Sequence, residues 1–289
     1  MPTVHANGVD IYYDESGSPD DRALLLVNGF TSQMTSWDDR LIELLVDNRF
    51  RVIRYDNRDV GLSGKTEGPL PVLVPSDSGL PQLDAAPPYT LSDMASDGIA
   101  LLTEIGVEQA HVVGISMGGM IVQHMAFGHP ERVLTMTSIM STTGDRSVGQ
   151  ATPEAMTALL TPPPEDREAY IAHGATTWRI VSGPHYDEAK ARERTAHAYD
   201  RCFYPRGSAF QLAAVLSDGD RTARLAGVRC PTLVIHGRLD PLVGLSGGEA
   251  TARAIPGAEL VVLDDMGHDL PPPLLPDIVT AIAKLAARV

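Results

Sequence analysis

The segment 114–118, with the sequence Gly-Ile-Ser-Met-Gly, restricts the fold of this chain more than any other segment. A short apolar run of strand character, 110–113, precedes it, and a run of helical character, 119–128, follows it. Where a strand turns tightly into a helix, the central residue has strained backbone geometry, and glycines two residues away avoid Cβ clashes with the neighbouring elements. The context therefore predicts that Ser116 lies on such a turn with its hydroxyl exposed as a nucleophile. The alternative interpretation is an ordinary helix-capping serine after a glycine-rich turn.

Short apolar runs alternate with segments of helical spacing along most of the chain. The predicted strands are 9–13, 23–27, 51–55, 110–113, 133–139, 232–235 and 260–263, and the predicted helices are 37–46, 92–105, 119–128 and 278–287. A continuous apolar run such as 23–27 is typical of a strand that is buried on both faces of a parallel sheet. The alternation therefore predicts the α/β class, with a doubly wound and mostly parallel sheet.

Two segments interrupt this alternation. Residues 67–88 contain six prolines and are predicted to form no regular structure, either as a loop insertion near the mouth of a site or as a mobile tether. Residues 144–227 have helical patterning with proline interruptions. We therefore expect 1–143 and 228–289 to form the core, and 144–227 to form a helical cap over the carboxyl edge of the sheet, where ligands bind. The residues expected to shape a pocket beneath the cap are Met156, Trp178, Phe203, Phe210 and the cap prolines Pro153, Pro162, Pro163 and Pro164.

A serine hydroxyl needs a base that removes its proton and an acid that orients the base. Among nine histidines, His268 follows the last predicted strand and is therefore expected at the carboxyl edge of the sheet. Asp240 follows the preceding strand, which places a carboxylate at the same edge, and His236 is expected to support the turn that carries it. We predict His268 as the base and Asp240 as the acid. Asp145 is the alternative acid, and an aspartate that merely starts a turn before proline is the alternative interpretation of Asp240.

Two backbone N–H groups are predicted to form an oxyanion hole, which stabilises the negative charge that develops on the attacked carbonyl oxygen. The first belongs to Met117, directly after the predicted nucleophile. The second belongs to Phe30, in the loop that follows the strand 23–27, where Gly29 allows a turn that aims the Phe30 N–H at the site. A tight turn at Asn28 and Gly29 without that role is the other interpretation.

The composition argues against several partners. The chain of 289 residues has 23 Lys and Arg against 37 Asp and Glu, a formal net charge of −14, whereas nucleic acid and anionic membranes attract basic patches. Residues 1–17 lack the apolar core of a signal peptide, and no stretch approaches the roughly 18 apolar residues that span a bilayer. Cys202 and Cys230 have no metal-ligand spacing and indicate two reduced, partly buried thiols in a cytoplasmic protein, with a single disulfide between them as the alternative. We expect no metal and no cofactor, and the sequence leaves the oligomeric state open.

The order of these motifs resembles that of the α/β-hydrolase fold superfamily. The matching segments are 28–30, 56–63, 114–118, 236–240 and 267–268. The resemblance implies the catalytic order Ser116, Asp240, His268 and a structural role for the segment 56–63. The superfamily usually has histidine where this chain has Asn28.

A closer likeness is to the bacterial esterases that include the aclacinomycin (anthracycline) methylesterases. The residues that carry it are Arg-Val-Ile-Arg-Tyr-Asp at 51–56, Ala-His-Val-Val-Gly at 110–114 and Trp-Arg-Ile-Val-Ser-Gly at 178–183. The likeness implies a serine esterase that cleaves a small-molecule carboxylic ester through an acyl-enzyme. Epoxide hydrolases and haloalkane dehalogenases of this fold have aspartate at position 116, so the serine argues against both. Carbon–carbon bond hydrolases, lactonases, perhydrolases and iminopeptidases share the triad and remain alternatives, and a non-catalytic ligand receptor is the alternative from another class.

Overall fold

The computed structural model describes residues 2–74 and 82–289. The strands in the described residues are β1 (Thr3–Ala6), β2 (Val9–Ser16), β3 (Arg22–Val27), β4 (Phe50–Tyr55), β5 (Leu73–Val74), β6 (Gln82–Leu83), β7 (Ala110–Ile115), β8 (Val133–Ile139), β9 (Thr232–Gly237) and β10 (Glu259–Leu263). The α-helices are α1 (Asp39–Asp47), α2 (Leu91–Glu104), α3 (Met117–Gly128), α4 (Pro153–Leu160), α5 (Arg167–Val181), α6 (Glu188–Arg201), α7 (Arg206–Asp218), α8 (Thr222–Leu225), α9 (Leu245–Ala254) and α10 (Leu275–Ala286).

The main sheet has eight strands in the order β1-β2-β4-β3-β7-β8-β9-β10. The pairs from β4 through β10 are all parallel, whereas β1 and β2 pair antiparallel with each other and β2 pairs antiparallel with β4. The predicted α/β class with a mostly parallel sheet is therefore confirmed. Sequence reasoning missed β1, an edge strand of four residues whose side chains are largely exposed and give little apolar periodicity.

Side chains of the central strands alternate between two hydrophobic cores. In β3, Leu25 and Val27 pack into the core formed with α2 and α3, whereas Leu24 and Leu26 pack into the core formed with α1 and α10. All four side chains are fully buried. This two-sided burial accounts for the continuous apolar run in the sequence, and it holds the carboxyl ends of the parallel strands at one edge.

The proline-rich segment contains a short ladder. Leu73 pairs with Leu83 and Val74 with Gln82 in an antiparallel arrangement, so the prediction of no regular structure is wrong for these residues. Residues 75–81 of this segment lie outside the described residues.

Residues 140–231, all of them described, contain only helices as regular structure, from α4 to α8, between β8 and β9. The short helix α8 contacts α3 and α9, so this end of the insertion packs against helices that flank the sheet. No helix in the part of the chain that the structure describes is long and apolar enough to cross a membrane.

Candidate active site

Ser116 lies between β7 and α3 in a strained backbone conformation, with φ 53° and ψ −119°. A residue with a side chain rarely adopts a positive φ, and the surrounding structure must hold it there. Its N–H donates to the carbonyl of Ile139 at 2.9 Å, which ties the turn to the end of β8. The turn that the sequence predicted is therefore present, and it places the serine at the carboxyl edge of the sheet.

The two glycines of this turn are required by close backbone approach. A Cβ atom at Gly114 would overlap the carbonyl of Gly118, and a Cβ atom at Gly118 would overlap the carbonyl of Val27. Both contacts involve backbone carbonyl groups, which could move aside only if the strand or the helix shifted. The glycine spacing thus reflects the packing of α3 against β3 and β7, as the sequence pattern indicated.

His268 and Asp240 are joined by a hydrogen bond of 2.8 Å between Nδ1 of the histidine and Oδ2 of the aspartate. The other carboxylate oxygen, Oδ1, accepts the backbone N–H groups of Leu242 and Val243, at 2.9 and 2.8 Å. The Asp240 side chain is completely buried. Because the carboxylate can only accept, Nδ1 of His268 carries the proton and Nε2 keeps a free lone pair.

His236 supports the turn that carries Asp240. Its Nε2 donates to the carbonyl of Val243 at 2.7 Å and lies 3.6 Å from Oδ2 of Asp240. The ring is fully buried, and burial lowers its pKa, which favours the neutral imidazole. Asp145, the alternative acid, instead accepts hydrogen bonds from the N–H and hydroxyl of Ser147 in its own turn. The structure therefore joins Asp240 with His268 and leaves Asp145 in a local turn.

The loop that contains Phe30 lies against the nucleophile. A Cβ atom at Gly29 would be 3.3 Å from Cβ of Ser116, and Phe30 lines the same cavity as Ser116 and His268. Met117 is the first residue of α3, so its N–H has no carbonyl of a preceding turn to bind. Both predicted oxyanion residues thus adjoin Ser116, one across the loop and the other along the chain.

Gln211 of α7 holds this loop in place and was missed by the sequence analysis. Its side-chain oxygen accepts the N–H of Thr31 at 2.9 Å, and its amide nitrogen donates to the carbonyl of Arg58 at 3.0 Å. The side chain is fully buried, and Thr31 has a positive φ of 57°. No local pattern could reveal this contact, because 180 residues separate Gln211 from Thr31.

The carboxyl end of α5 is attached to the loop that carries His268. The His268 N–H donates to the carbonyl of Val181 at 2.7 Å, and Oδ1 of Asp269 accepts the N–H groups of Gly183 and Gly267, at 3.3 and 3.1 Å. Burial raises the pKa of Asp269. The segment 178–183, which carries part of the esterase likeness, therefore contacts the loop of the predicted base directly.

Replacement of Gly183 by alanine should separate α5 from this loop. The added methyl group would lie 2.7 Å from the backbone nitrogen of Gly267, and such overpacking costs about 1–3 kcal/mol of unfolding free energy. A displacement of His268 by about 1 Å can lower kcat up to roughly a hundredfold. Ester hydrolysis and thermal unfolding measure both effects. Gly128→Ala is the control, since its methyl group meets no atom within 4 Å, and equal activity of the two variants would contradict the expectation.

The cavity above Ser116 has a volume of about 480 Å³, within the range of small-molecule sites. It lies between the loops at the sheet edge and helices α4 to α7. Its aromatic lining residues are Phe30, Trp37, Tyr170, Trp178, Phe203 and Tyr204. Of the residues expected to shape the pocket, Trp178, Phe203, Pro162 and Pro163 line it, whereas Pro153 and Pro164 do not. Met156 does not, and Phe210 instead packs fully buried in the core with α2 and α3, because it faces inward from α7.

The described residues contain no group of three or more His, Cys, Asp or Glu side chains that could hold a metal ion. None of the described residues in the proline-rich segment 67–88 lines the cavity. Ser116 and His268 both line the cavity, and His268 is bonded to Asp240.

Residues 22–271 match the family model of the α/β-hydrolase fold, and the chain belongs to this family. This membership agrees with the strained serine turn and with the resemblance stated from the sequence. Among its relatives are esterases and other hydrolases, which confirms the predicted class of enzyme.

Three comparisons describe where the chain stands in the family. It is 30% identical to the rhodomycin D methylesterase DnrP of Streptomyces peucetius, over 94% of this chain and 93% of that one. It is 26% identical to the 3-oxoadipate enol-lactonase 2 of Acinetobacter baylyi, over 91% and 88% of the two chains. A solved meta-cleavage product hydrolase from Pseudomonas fluorescens superposes with a TM-score of 0.79 at 20% identity, covering 100% of this chain and 98% of that one, and shows the shared fold.

Proposed function

We propose that this protein is a serine hydrolase that cleaves a carboxylic ester through an acyl-enzyme, with Ser116 as nucleophile, His268 as base and Asp240 as orienting acid. The observation that carries the proposal is the 2.8 Å bond between His268 Nδ1 and Asp240 Oδ2, beside a cavity that both His268 and Ser116 line. A helix N-terminus behind the serine favours the negative charge that develops there.

In the proposed reaction, Nε2 of His268 takes the Ser116 proton as the hydroxyl oxygen attacks the ester carbonyl. The N–H groups of Phe30 and Met117 stabilise the oxyanion, and His268 then protonates the departing alcohol. In the second half, His268 takes a proton from water as the water oxygen attacks the acyl carbonyl. His268 then returns this proton to the Ser116 oxygen as the bond between that oxygen and the acyl carbon breaks and the acid is released. Asp240 keeps Nδ1 protonated and stabilises the imidazolium in both halves.

We propose a small-molecule ester with a bulky, largely apolar body as the substrate. The large aromatic cavity supports this, and a methyl ester is the first candidate because two relatives are named rhodomycin D methylesterases. We further propose that residues 144–227 act as the cap that covers this substrate, since α4 to α7 supply much of the cavity wall. A cytoplasmic location remains a prediction from the sequence.

A series of para-nitrophenyl esters from acetate to decanoate tests the proposal. We expect turnover with acyl chains of medium length, because the cavity is far larger than an acetyl group needs. A parallel assay with a methyl ester of a polycyclic aromatic acid tests the bulky class, and an enol-lactone tests the lactonase alternative. Slow acylation of a single equivalent without turnover would indicate a ligand receptor instead.

A further inference from the structure

Arg194 of α6 presents a cation to the cavity that no protein acceptor neutralises. It lines the cavity, its residue surface is in part exposed, and it makes no hydrogen bond or ion pair with any described residue. A guanidinium has five N–H donors and normally bonds to a carboxylate, often with two parallel bonds. A guanidinium that borders a binding cavity without a protein acceptor is therefore available to an acceptor on the ligand.

Two carboxylates face Arg194 but are already engaged elsewhere. Asp38 caps α1 by accepting the N–H of Arg40 at 2.8 Å, and Asp269 accepts two backbone N–H groups beside His268. Neither comes within the 4.0 Å of an ion pair with Arg194. Their negative charges raise the pKa of Arg194, but burial lowers it by more, so its pKa lies below the usual value for arginine. An incoming anion would complete the neutralisation.

The guanidinium lies over the ring of Trp178. Its central carbon lies 4.6 Å from the ring centroid of Trp178, which stacks against it. Tyr170, on the same side of the cavity, has its pKa raised by burial and stays a hydroxyl donor. The cap therefore offers hydrogen-bond donors set among aromatic faces, an arrangement suited to a flat ligand with an acidic oxygen.

We propose that Arg194 binds an acidic oxygen group of the substrate, a carboxylate or a phenolate, carried on a flat aromatic body. The inference rests on the proposed function and names its substrate class: esters that bear a second, acidic group. The neutral lining of the remaining aromatic wall accepts the ring system, and Arg194 distinguishes charged from neutral members of the class.

Calorimetric binding of naphthoate and naphthamide tests the proposal, since the two probes share a shape and differ in charge. We expect the wild-type protein to bind naphthoate about tenfold more tightly or better. Arg194→Gln should lose most of this preference, and Arg194→Lys should keep part of it because the charge remains without the planar fork. Arg192→Gln is the matched control, a cation on the same helix that does not line the cavity, and it should keep the full preference.

Equal affinity for the two probes in the wild-type protein, absence of naphthoate binding, or a preference that survives in Arg194→Gln would each overturn the proposal. A loss in Arg192→Gln as large as in Arg194→Gln would also overturn it, because a general charge effect would then suffice. Binding needs no turnover, so the result is separate from that of the esterase assay. A protein that hydrolyses neutral esters but ignores the naphthoate charge would retain the proposed function and lose only this inference.

Discussion

Replacement of Ser116 by alanine should lower kcat for para-nitrophenyl butyrate by roughly a thousandfold to a millionfold, the range seen when a catalytic nucleophile is removed. The hydroxyl is the only group in the proposed reaction that forms a bond to the acyl carbon. Without it, water must attack the ester directly, assisted only by His268, by substrate binding and by the N–H groups of Phe30 and Met117. Stopped-flow and steady-state assays at equal protein concentration measure the loss.

Ser36→Ala is the matched control for this experiment, because Ser36 also lines the cavity but lies outside the strained turn. We expect it to keep kcat within about threefold of the wild-type value, since it takes no part in the reaction. Thermal unfolding of both variants separates chemistry from folding. Near-full activity of Ser116→Ala would show that another group attacks the ester. An equal loss of kcat in Ser36→Ala would show that the loss is not specific to Ser116 and would contradict its role as nucleophile.

The sequence predicted the turn at Ser116 and the central strands, because each has a residue pattern within a short stretch of the chain. The turn at 114–118 is recognisable because its two glycines have a fixed spacing. A side chain at Gly114 would overlap the backbone of Gly118, and one at Gly118 would overlap the end of β3. The central strands are recognisable because burial on both faces makes them uniformly apolar. Edge strand β1 and the short pair β5 and β6 lack that signal, since one or both faces are exposed.

The contacts that hold the site together are long-range, and no local pattern encodes them. Gln211 bonds to the loop of Thr31 across 180 residues, and Gly183, which lies between β8 and β9 in the chain, packs against Gly267, which follows β10. Phe210 shows the same limit, because an apolar residue in the insertion can face either the cavity or the core. In the sequence, Arg194 does not differ from other charged residues of a surface helix. Only the structure shows that it lines the cavity and has no acceptor among the described residues.

Replacement of Asp240 by asparagine should lower kcat by about ten-thousandfold while the fold is retained, as found when the acid of such a triad becomes an amide. The reason lies in the hydrogen bonds of the two carboxylate oxygens. Oδ1 of Asp240 accepts the N–H groups of Leu242 and Val243. In the asparagine variant, the amide carbonyl oxygen will take the place of Oδ1, because only an oxygen can accept these two bonds. The amide nitrogen must then face His268 and donate to Nδ1.

This donation reverses the tautomer of the imidazole. With Nδ1 as the acceptor, the proton of neutral His268 moves to Nε2, which can then no longer take the proton of Ser116. Asp145→Asn is the matched control, because the structure places Asp145 in a turn with Ser147, and we expect its kcat to stay within about twofold of wild type. Equal melting temperatures with a large loss of kcat only in Asp240→Asn would establish the orienting role. A large loss in Asp145→Asn with normal activity of Asp240→Asn would instead assign the orienting role to Asp145. The comparison is decisive because only the acid that bonds to Nδ1 of His268 sets the tautomer that proton transfer from Ser116 requires.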